Sequence, residues 1–273
     1  MLTTIILALL GLPLLGGPTV SEDSVFSPKL QRRMHYRLLV SDPAGTGSRL
    51  PTLVLLHGYS GNHRDWTGLT DIEQVVAGRA VAVVMPHGEN SWYVNAANDS
   101  AGPYEDALLR DLLPSVASHA PIDTTRMGIA GLSMGGYGAL TLGLRHPHLF
   151  RFIGAMSASL DIPFLIPDLE RNGRGGLRSS LTTIFGHDTS SWGSYAPFRL
   201  AATVRREEAP YVYLVNGIQD EFSMRLSLYR ELADLLRSRA LSYEYHETPG
   251  RHSWEYWGQE IPGVVHRFLA IVH

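Results

Sequence analysis

The sequence predicts an α/β protein in which helices flank a mostly parallel central sheet. Two continuous apolar runs, Leu53–Leu56 and Val81–Pro86, have the pattern of strands buried on both faces. Segments between the apolar runs repeat their leucines at helical spacing, as in Met224–Arg239. Strands that alternate with helices are typical of a parallel sheet covered on both sides. A single domain over residues 22–273 suits the length of the chain.

The elements are predicted in the following order. An early antiparallel hairpin lies within Ser24–Asp42; strands follow at 53–56, 81–86, 126–132, 152–157, 211–215 and 241–247, and helices at 71–78, 104–119, 136–145, 224–239 and 264–272. Pro114 is expected to bend or break the helix over 104–119. Residues 160–198 are rich in Gly, Pro, Ser and Arg and weakly periodic. They are interpreted as an insertion over the sheet edge, a candidate lid or substrate-shaping segment.

The first 21 residues are a possible signal peptide. Ile5–Leu15 is an apolar run too short to span a membrane comfortably, and small and polar residues follow it up to Ser21. No Lys or Arg precedes the run, so the alternative is a frayed apolar terminus of a cytoplasmic protein. Export is the preferred expectation.

Composition narrows the classes of partner. The net charge is −3 without a basic stripe, which excludes nucleic acid and an anionic membrane surface as expected partners. The absence of cysteine excludes a disulfide framework, a thiol nucleophile and a cysteine-ligated metal. Twelve histidines are present, but none falls in a metal-binding motif, so neither a metal nor a cofactor is expected. His63 with Asp65, and His146 with His148, are interpreted as solvated surface pairs.

The stretch that carries chemistry is Gly131-Leu132-Ser133-Met134-Gly135. It follows an apolar strand pattern and opens a helix, which is the context of a nucleophile elbow. Because the turn is crowded, only glycine fits at its two flanking positions. The turn lifts the Ser133 hydroxyl clear of the sheet, beside the positive end of the helix. Ser133 is therefore the predicted nucleophile.

A serine hydroxyl needs a histidine to take its proton and a carboxylate to orient that histidine. In this arrangement the acid and then the histidine follow the serine, each in a loop after a strand. Asp220 follows the strand 211–215, and His252 follows the strand 241–247. The alternatives are less well placed: Glu221, Asp161 and Asp188 for the acid, and His246, His266 and His273 for the base.

An oxyanion hole needs two backbone N–H groups aimed at the developing negative charge. One should come from Met134, which follows the nucleophile, and the other from the loop after the strand 53–56. Tyr59 is preferred over Gly58 for the second donor. His57 is expected to support this loop rather than to perform acid–base chemistry.

These motifs together resemble the esterase D-like family of α/β-hydrolases. That family includes tributyrin-type esterases, S-formylglutathione hydrolases, feruloyl and acetyl-xylan esterases, and mycolyltransferases. The matching stretches span residues 24–270 in the expected order: Leu53–Gly61 with Asp65-Trp66, Ser91–Asn95, Tyr104–Asp106, Ile129–Ala139, and Gly250–Trp254 with Tyr256-Trp257. The cysteines common in S-formylglutathione hydrolases are absent, and 160–198 matches no family motif.

The resemblance implies the α/β-hydrolase fold. It also implies Ser133, Asp220 and His252 as nucleophile, acid and base, with Tyr59 and Met134 as oxyanion donors. The expected activity is that of a serine carboxylesterase that hydrolyses short-chain acyl or small aromatic-acid esters through an acyl-enzyme. Such esters are small molecules or, for an exported enzyme, groups linked to polysaccharide.

The substrate-binding residues are less clearly indicated. Trp92, Tyr93 and Trp254 are candidates, because their rings could stack on a phenolic acid or a sugar, and packing residues are an equal alternative. Two alternative functions share the fold. One is an acyltransferase with the same intermediate, and the other is a non-catalytic small-molecule receptor, against which the complete Ser, Asp and His set argues.

Overall fold

A computed structural model describes residues 17–45, 47–162, 175–221 and 226–273 of the chain. The described residues form one eight-stranded sheet with the strand order β1-β2-β4-β3-β5-β6-β7-β8. The strands are β1 (Thr19–Ser27), β2 (Arg32–Ser41), β3 (Leu50–Leu56), β4 (Val81–Pro86), β5 (Ile122–Leu132), β6 (Phe150–Met156), β7 (Tyr211–Gly217) and β8 (Tyr243–Thr248). β2 pairs antiparallel with β1 and β4, and all pairs from β4 to β8 are parallel. The predicted mostly parallel sheet is confirmed.

Helices cover both faces of the sheet. They are α1 (Asp65–Leu69), α2 (Ile72–Val76), α3 (Tyr104–Asp106), α4 (Leu113–His119), α5 (Met134–Arg145), α6 (Gly175–Phe185), α7 (Thr189–Trp192), α8 (Pro197–Thr203), α9 (Leu226–Ser238) and α10 (Trp254–Val272). One core layer packs α1, α2 and α10 against the sheet, and the other packs α3 to α9. Every residue of β3 and β4 is buried, as their continuous apolar sequence predicts. No helix among the described residues is long and apolar enough to cross a bilayer.

The amino-terminal hairpin begins earlier than the sequence predicts. β1 starts at Thr19, and Thr19, Val20 and Ser21 pair with Val40, Leu39 and Leu38 of β2 in turn. The possible signal peptide over 1–21 therefore overlaps the first residues of β1. Most of that segment, residues 1–16, lies outside the described residues.

The helix over 104–119 is not broken at Pro114, contrary to expectation. A π-helical segment, Ala107–Leu112, joins α3 to α4, and Pro114 lies in the first turn of α4. Proline has no N–H to donate within a helix, and the hydrogen-bonding pattern changes from π-helical to α-helical just before Pro114. The chain keeps helical dihedral angles through Leu112 and Leu113, so the π segment and α4 form one rod.

The closing helix is much longer than the predicted 264–272, which is the largest error in the element predictions. α10 begins at Trp254, and the Ser253 hydroxyl caps it by accepting from the Tyr256 N–H. Pro262 lies inside the helix, where proline normally favours a break. Burial overrides that preference, because the helix buries a stripe of side chains against the sheet: Tyr256, Trp257, Ile261, Val264, Val265, Phe268 and Val272.

The described part of the 160–198 segment is helical rather than irregular. Residues 163–174 lie outside the description, and α6, α7 and the start of α8 account for most of the rest. Phe185 and Trp192 are buried in the core layer, and the Tyr137 hydroxyl donates to the Tyr195 carbonyl at 2.7 Å. The segment therefore packs on the first turns of α5, close to the predicted nucleophile.

A buried ion pair fixes the other end of α5. The Glu105 carboxylate on α3 is 3% exposed and lies 3.1 Å from the Arg145 guanidinium and 2.6 Å from His146 Nε2. Burial works against the carboxylate charge, but His146 and Arg145 lower the pKa of Glu105 below its ordinary value. The pair therefore ties α3 to the carboxyl end of the helix that follows Ser133.

We expect Glu105→Gln to lower the free energy of unfolding by about 2 kcal/mol, because it leaves the partly buried Arg145 without its counter-charge. Urea unfolding followed by circular dichroism measures the change. Glu208→Gln is the control, since Glu208 pairs with Arg205 on the exposed surface and should contribute less than about 0.5 kcal/mol. Equal losses in the two variants would contradict a special role for the Glu105 pair.

Candidate active site

Ser133 occupies a strained turn between β5 and α5. Its φ of +50° lies in the left-handed region that non-glycine residues seldom adopt. A Cβ at Gly131 would stand 2.5 Å from the Gly135 carbonyl, and a Cβ at Gly135 would stand 2.6 Å from the Leu56 and His57 oxygens. These approaches explain the Gly-x-Ser-x-Gly spacing. The turn needs glycine on both sides because backbone meets backbone there.

The structure brings Ser133, His252 and Asp220 together in one hydrogen-bonded series. His252 Nε2 lies 3.0 Å from Ser133 Oγ, and His252 Nδ1 lies 2.8 Å and 3.0 Å from the two Asp220 oxygens. The Asp220 side chain is fully buried, and the His252 side chain is 14% exposed. Nδ1–H donates to the carboxylate in this arrangement, which leaves Nε2 to accept from the serine hydroxyl.

Each member of the series follows a different strand at the same edge of the sheet. Asp220 ends the turn after β7, where its N–H donates to the Gly217 carbonyl at 3.1 Å. His252 lies after β8, one residue before the N-cap of α10. The alternatives point elsewhere. Glu221 is exposed and faces Arg251 at 3.8 Å, and His246 on β8 faces Glu244.

The two predicted oxyanion donors belong to segments that adjoin Ser133. Met134 is the first residue of α5, a position whose N–H has no intrahelical partner. The loop after β3 passes so close that a Cβ at Gly58 would stand 3.7 Å from the Ser133 Cβ. Within the described chain, no protein acceptor is found for the Tyr59 N–H. Both N–H groups are thus available to a substrate oxygen.

Asn90 supports this loop and was missed by the sequence reasoning. Its side-chain oxygen accepts from the Ser60 N–H at 2.7 Å, and Ser60 has a φ of +62°. The signal available in the sequence is that β3 and β4 are both buried strands followed by glycine loops. Parallel neighbours deliver their following loops to the same edge, so contact between the two loops could have been predicted.

His57 joins the same two loops, in agreement with its predicted supporting role. Its buried ring donates from Nδ1 to the Gly58 carbonyl at 2.8 Å and accepts at Nε2 from the Gly88 N–H at 2.9 Å. Burial lowers the pKa of His57 to about 4, with smaller contributions from repulsion by His87 and His63 and against the raising effect of the hydrogen bond to Gly58. The imidazole is therefore neutral at pH 7, as both of its hydrogen bonds require.

The candidate substrate-binding aromatics have different environments. Tyr93 is fully buried, and its hydroxyl donates to the His57 carbonyl at 3.1 Å, so its place is that of a packing residue. Trp92 is also buried, with its ring 6.2 Å from Tyr59 and 5.6 Å from Tyr137. Trp254 is partly exposed between Trp66 and Trp257. Of the three, Trp254 retains the surface that a substrate could contact.

The histidine pairs are less solvated than the sequence suggests. His63 is only 8% exposed and lies 3.3 Å from Glu22, and His146 pairs with Glu105. Contact with Glu22 of β1 accompanies the burial of His63, whereas His146 stays 25% exposed beside Glu105 of α3 and His148 is exposed. Local sequence does not report such long-range contacts. Among the described residues, no group of three or more His, Asp or Glu side chains has the arrangement of a metal site.

The sheet, the elbow and the hydrogen-bonded series define a serine hydrolase of the α/β-hydrolase fold. The family model "Putative esterase" matches residues 27–268, and the chain belongs to this esterase family. The structure resembles the fluorophosphonate-binding serine hydrolase FphF of Staphylococcus aureus with a TM-score of 0.79. The two are 26% identical, and the match covers 94% of this chain and 100% of FphF.

Curated relatives place the chain among esterases and acyltransferases. An acetyl esterase of Caldicellulosiruptor saccharolyticus is 32% identical over 219 residues, which span 78% of this chain and 80% of that protein. The diacylglycerol acyltransferase/mycolyltransferase Ag85B of Mycobacterium intracellulare is 28% identical over 247 residues, 80% of this chain and 73% of that protein. Family and fold agree that the chain is a carboxylic ester hydrolase.

The buried neutral His57 predicts acid sensitivity. The pKa of His57 is about 4 in the folded protein, below its ordinary value of 6.5. Between pH 4 and pH 6.5 the unfolded chain therefore binds a proton at this residue that the folded chain does not bind. Stability should therefore fall by up to about 3 kcal/mol as the pH drops from 6.5 to 4. Urea unfolding at pH 7.5 and pH 4.5 measures the difference. In His57→Gln, which does not titrate, the difference should shrink; an unchanged difference would rule out His57 as its source.

Proposed function

We propose that this enzyme hydrolyses carboxylic esters through a covalent acyl-enzyme on Ser133, with short acyl groups as its preferred substrates. The observation that carries the proposal is the continuous series from Ser133 Oγ to His252 to the buried Asp220 carboxylate, with contacts of 2.8–3.0 Å. An arrangement of this kind makes a serine hydroxyl nucleophilic at neutral pH.

The proposed reaction has two stages. Ser133 Oγ attacks the ester carbonyl carbon while His252 Nε2 accepts the hydroxyl proton, and the carbonyl oxygen becomes an oxyanion facing the Tyr59 and Met134 N–H groups. Collapse of the tetrahedral intermediate breaks the bond to the leaving oxygen, which takes the proton from His252. Water then attacks the acyl-enzyme, again with His252 as base, and releases the acid and Ser133. Asp220 holds the imidazole orientation and stabilises its charged form.

Support for a short acyl group comes from similarity. The acetyl esterase relative matches 78% of this chain at 32% identity. The buried Tyr93 leaves the partly exposed Trp254 as the aromatic candidate for contact with a small aromatic acid or a sugar. We propose acetyl and similarly small esters as first substrates, with aromatic-acid esters second, and polysaccharide-linked esters if the enzyme is exported.

Replacing the proposed nucleophile tests the mechanism. Ser133→Ala should lower kcat on p-nitrophenyl acetate by about 10⁴-fold or more, because no other group can form the acyl-enzyme, while the melting temperature stays close to wild type. Ser118→Ala is the control, since Ser118 bonds only within its own helix end at the surface. A p-nitrophenyl series from acetate to decanoate, with methyl ferulate, gives the acyl preference. Substantial turnover by Ser133→Ala would refute the mechanism.

Acyl transfer is a second candidate, favoured by the match of 80% of this chain to an acyltransferase. Hydrolase and transferase share the acyl-enzyme and differ in whether water or an alcohol receives the acyl group. Adding a sugar alcohol acceptor to p-nitrophenyl acetate and measuring acetate against acetylated acceptor separates them. We expect acetate to dominate, and predominant acylated acceptor would instead establish the transferase. Ligand binding without turnover, and no phosphonate label on Ser133, would indicate a receptor.

A further inference from the structure

We propose that Trp257 and Ser157 are positioning residues for His252. They fix the plane of the imidazole and couple the base to the nucleophile. The inference rests on the proposed role of His252 as the base. It goes beyond that role, because neither residue touches the reacting atoms.

Hydrogen bonds hold the His252 ring at both nitrogens, Nδ1 to Asp220 and Nε2 to Ser133, and the Cβ–Cγ bond tethers it to the backbone. Small changes in the two side-chain torsions can still tilt the ring plane, because hydrogen bonds tolerate some bending. The lone pair of Nε2 lies in the ring plane, so such a tilt turns it relative to the serine hydroxyl. A packing surface against the face or edge of the ring restricts this tilt.

Trp257 supplies this packing surface. Its indole lies 4.9 Å from the His252 ring, centroid to centroid, with an angle of 87° between the planes. Such an edge-to-face contact is favourable for aromatic rings and depends on their relative orientation. Trp257 is 5% exposed and lies in the first turn of α10, where its N–H donates to the Ser253 carbonyl at 3.1 Å. The indole is therefore a fixed surface against which the imidazole rests.

Ser157 fixes the indole in turn. The Trp257 Nε1–H donates to Ser157 Oγ at 3.2 Å, and Ser157 is fully buried. Ser157 has a φ of +46°, and its own N–H donates to the Val215 carbonyl on β7 at 3.0 Å. A strained, fully buried serine whose hydroxyl accepts from an indole is a specific arrangement, since a buried N–H left without an acceptor is costly.

The same turn also holds the nucleophile. Met156, the residue before Ser157, accepts the Ser133 N–H at its carbonyl, 2.9 Å away. The end of β6 thus has two bonds toward the site. One fixes the backbone of Ser133 directly, and the other fixes the ring of His252 through Trp257. A shift of this turn would move nucleophile and base together, which keeps their separation constant.

The test must separate positioning from stability, because Trp257 also belongs to a hydrophobic core layer. Trp257→Leu removes the aromatic surface, whereas Trp257→Phe and Ser157→Ala each remove the indole–hydroxyl bond. Phe268→Leu is the matched control. Phe268 lies on the same helix and in the same core layer, is fully buried, and has its ring against Phe152 rather than His252.

Three quantities are measured for each variant: kcat and KM on p-nitrophenyl acetate, the rate of Ser133 labelling by a fluorophosphonate, and the melting temperature. We expect Trp257→Leu to lower kcat and the labelling rate by about tenfold or more while KM changes less than about twofold. Phe268→Leu should also lose thermal stability and should keep its kcat. Trp257→Phe and Ser157→Ala should each lower kcat. Because both act through the same bond, the kcat of the double variant should be no lower than that of the less active single variant.

A Trp257→Leu enzyme with wild-type kcat and a lowered melting temperature would overturn the inference and leave Trp257 a core residue only. Additive losses in the double variant would overturn the path through Ser157. Failure of the proposed function has a separate signature, which is activity that survives Ser133→Ala. If Ser133→Ala is inactive and Trp257→Leu keeps the wild-type kcat, the positioning role is rejected and the serine mechanism is retained.

Discussion

The whole site depends on the close approach of three backbone segments: the end of β5, the start of α5 and the end of β3. The turn at Gly131–Gly135 presses against the end of β3, so that Leu56 and His57 oxygens lie where a side chain at Gly135 would be. Ser133, the proposed nucleophile, and the loop of the proposed oxyanion donor Tyr59 are therefore positioned by the same contact. Tyr93 packs against this contact and donates to the His57 carbonyl. A larger residue at either glycine would displace both the Ser133 turn and this loop.

The parallel sheet then brings the remaining parts to that contact. The six parallel strands, β3 to β8, have their carboxyl ends on the same side of the sheet. A loop with its own role follows each of them there. His57 bridges the loops after β3 and β4, while Met156 and Ser157 bridge toward the residues after β5 and β8. The proposed mechanism uses three side chains, and hydrogen bonds between neighbouring loops hold them in place. This is why several buried polar groups, such as His57 and Ser157, cluster on this side of the sheet.

Sequence reasoning located the parts of the site that local patterns specify. Ser133 has a steric signature in its flanking glycines, and Asp220 and His252 were assigned by their positions after strands; the structure places the three in contact. It failed where long-range burial decides. The predicted start of the closing helix at residue 264 was too late, because α10 is held by a stripe of buried side chains that begins at Tyr256. The sequence does not show whether Tyr93 and Trp257 are buried or which residues they contact. Only the folded chain gives their burial and their neighbours.

The order of the strands also determines when the enzyme becomes active as it folds. The contact between Ser133 and His252 joins residues 119 positions apart, and His252, the proposed base, follows β8, the last strand in the sheet order. A chain that has formed β1 to β6 already has the Ser133 turn but has not yet positioned Asp220 or His252. Because non-local pairings of this kind form late and slowly, ester hydrolysis during refolding counts only molecules that have docked their last two strands. Fluorescence or circular dichroism would register the earlier stages of folding. The delay between the recovery of those signals and the recovery of activity therefore measures the duration of the final step.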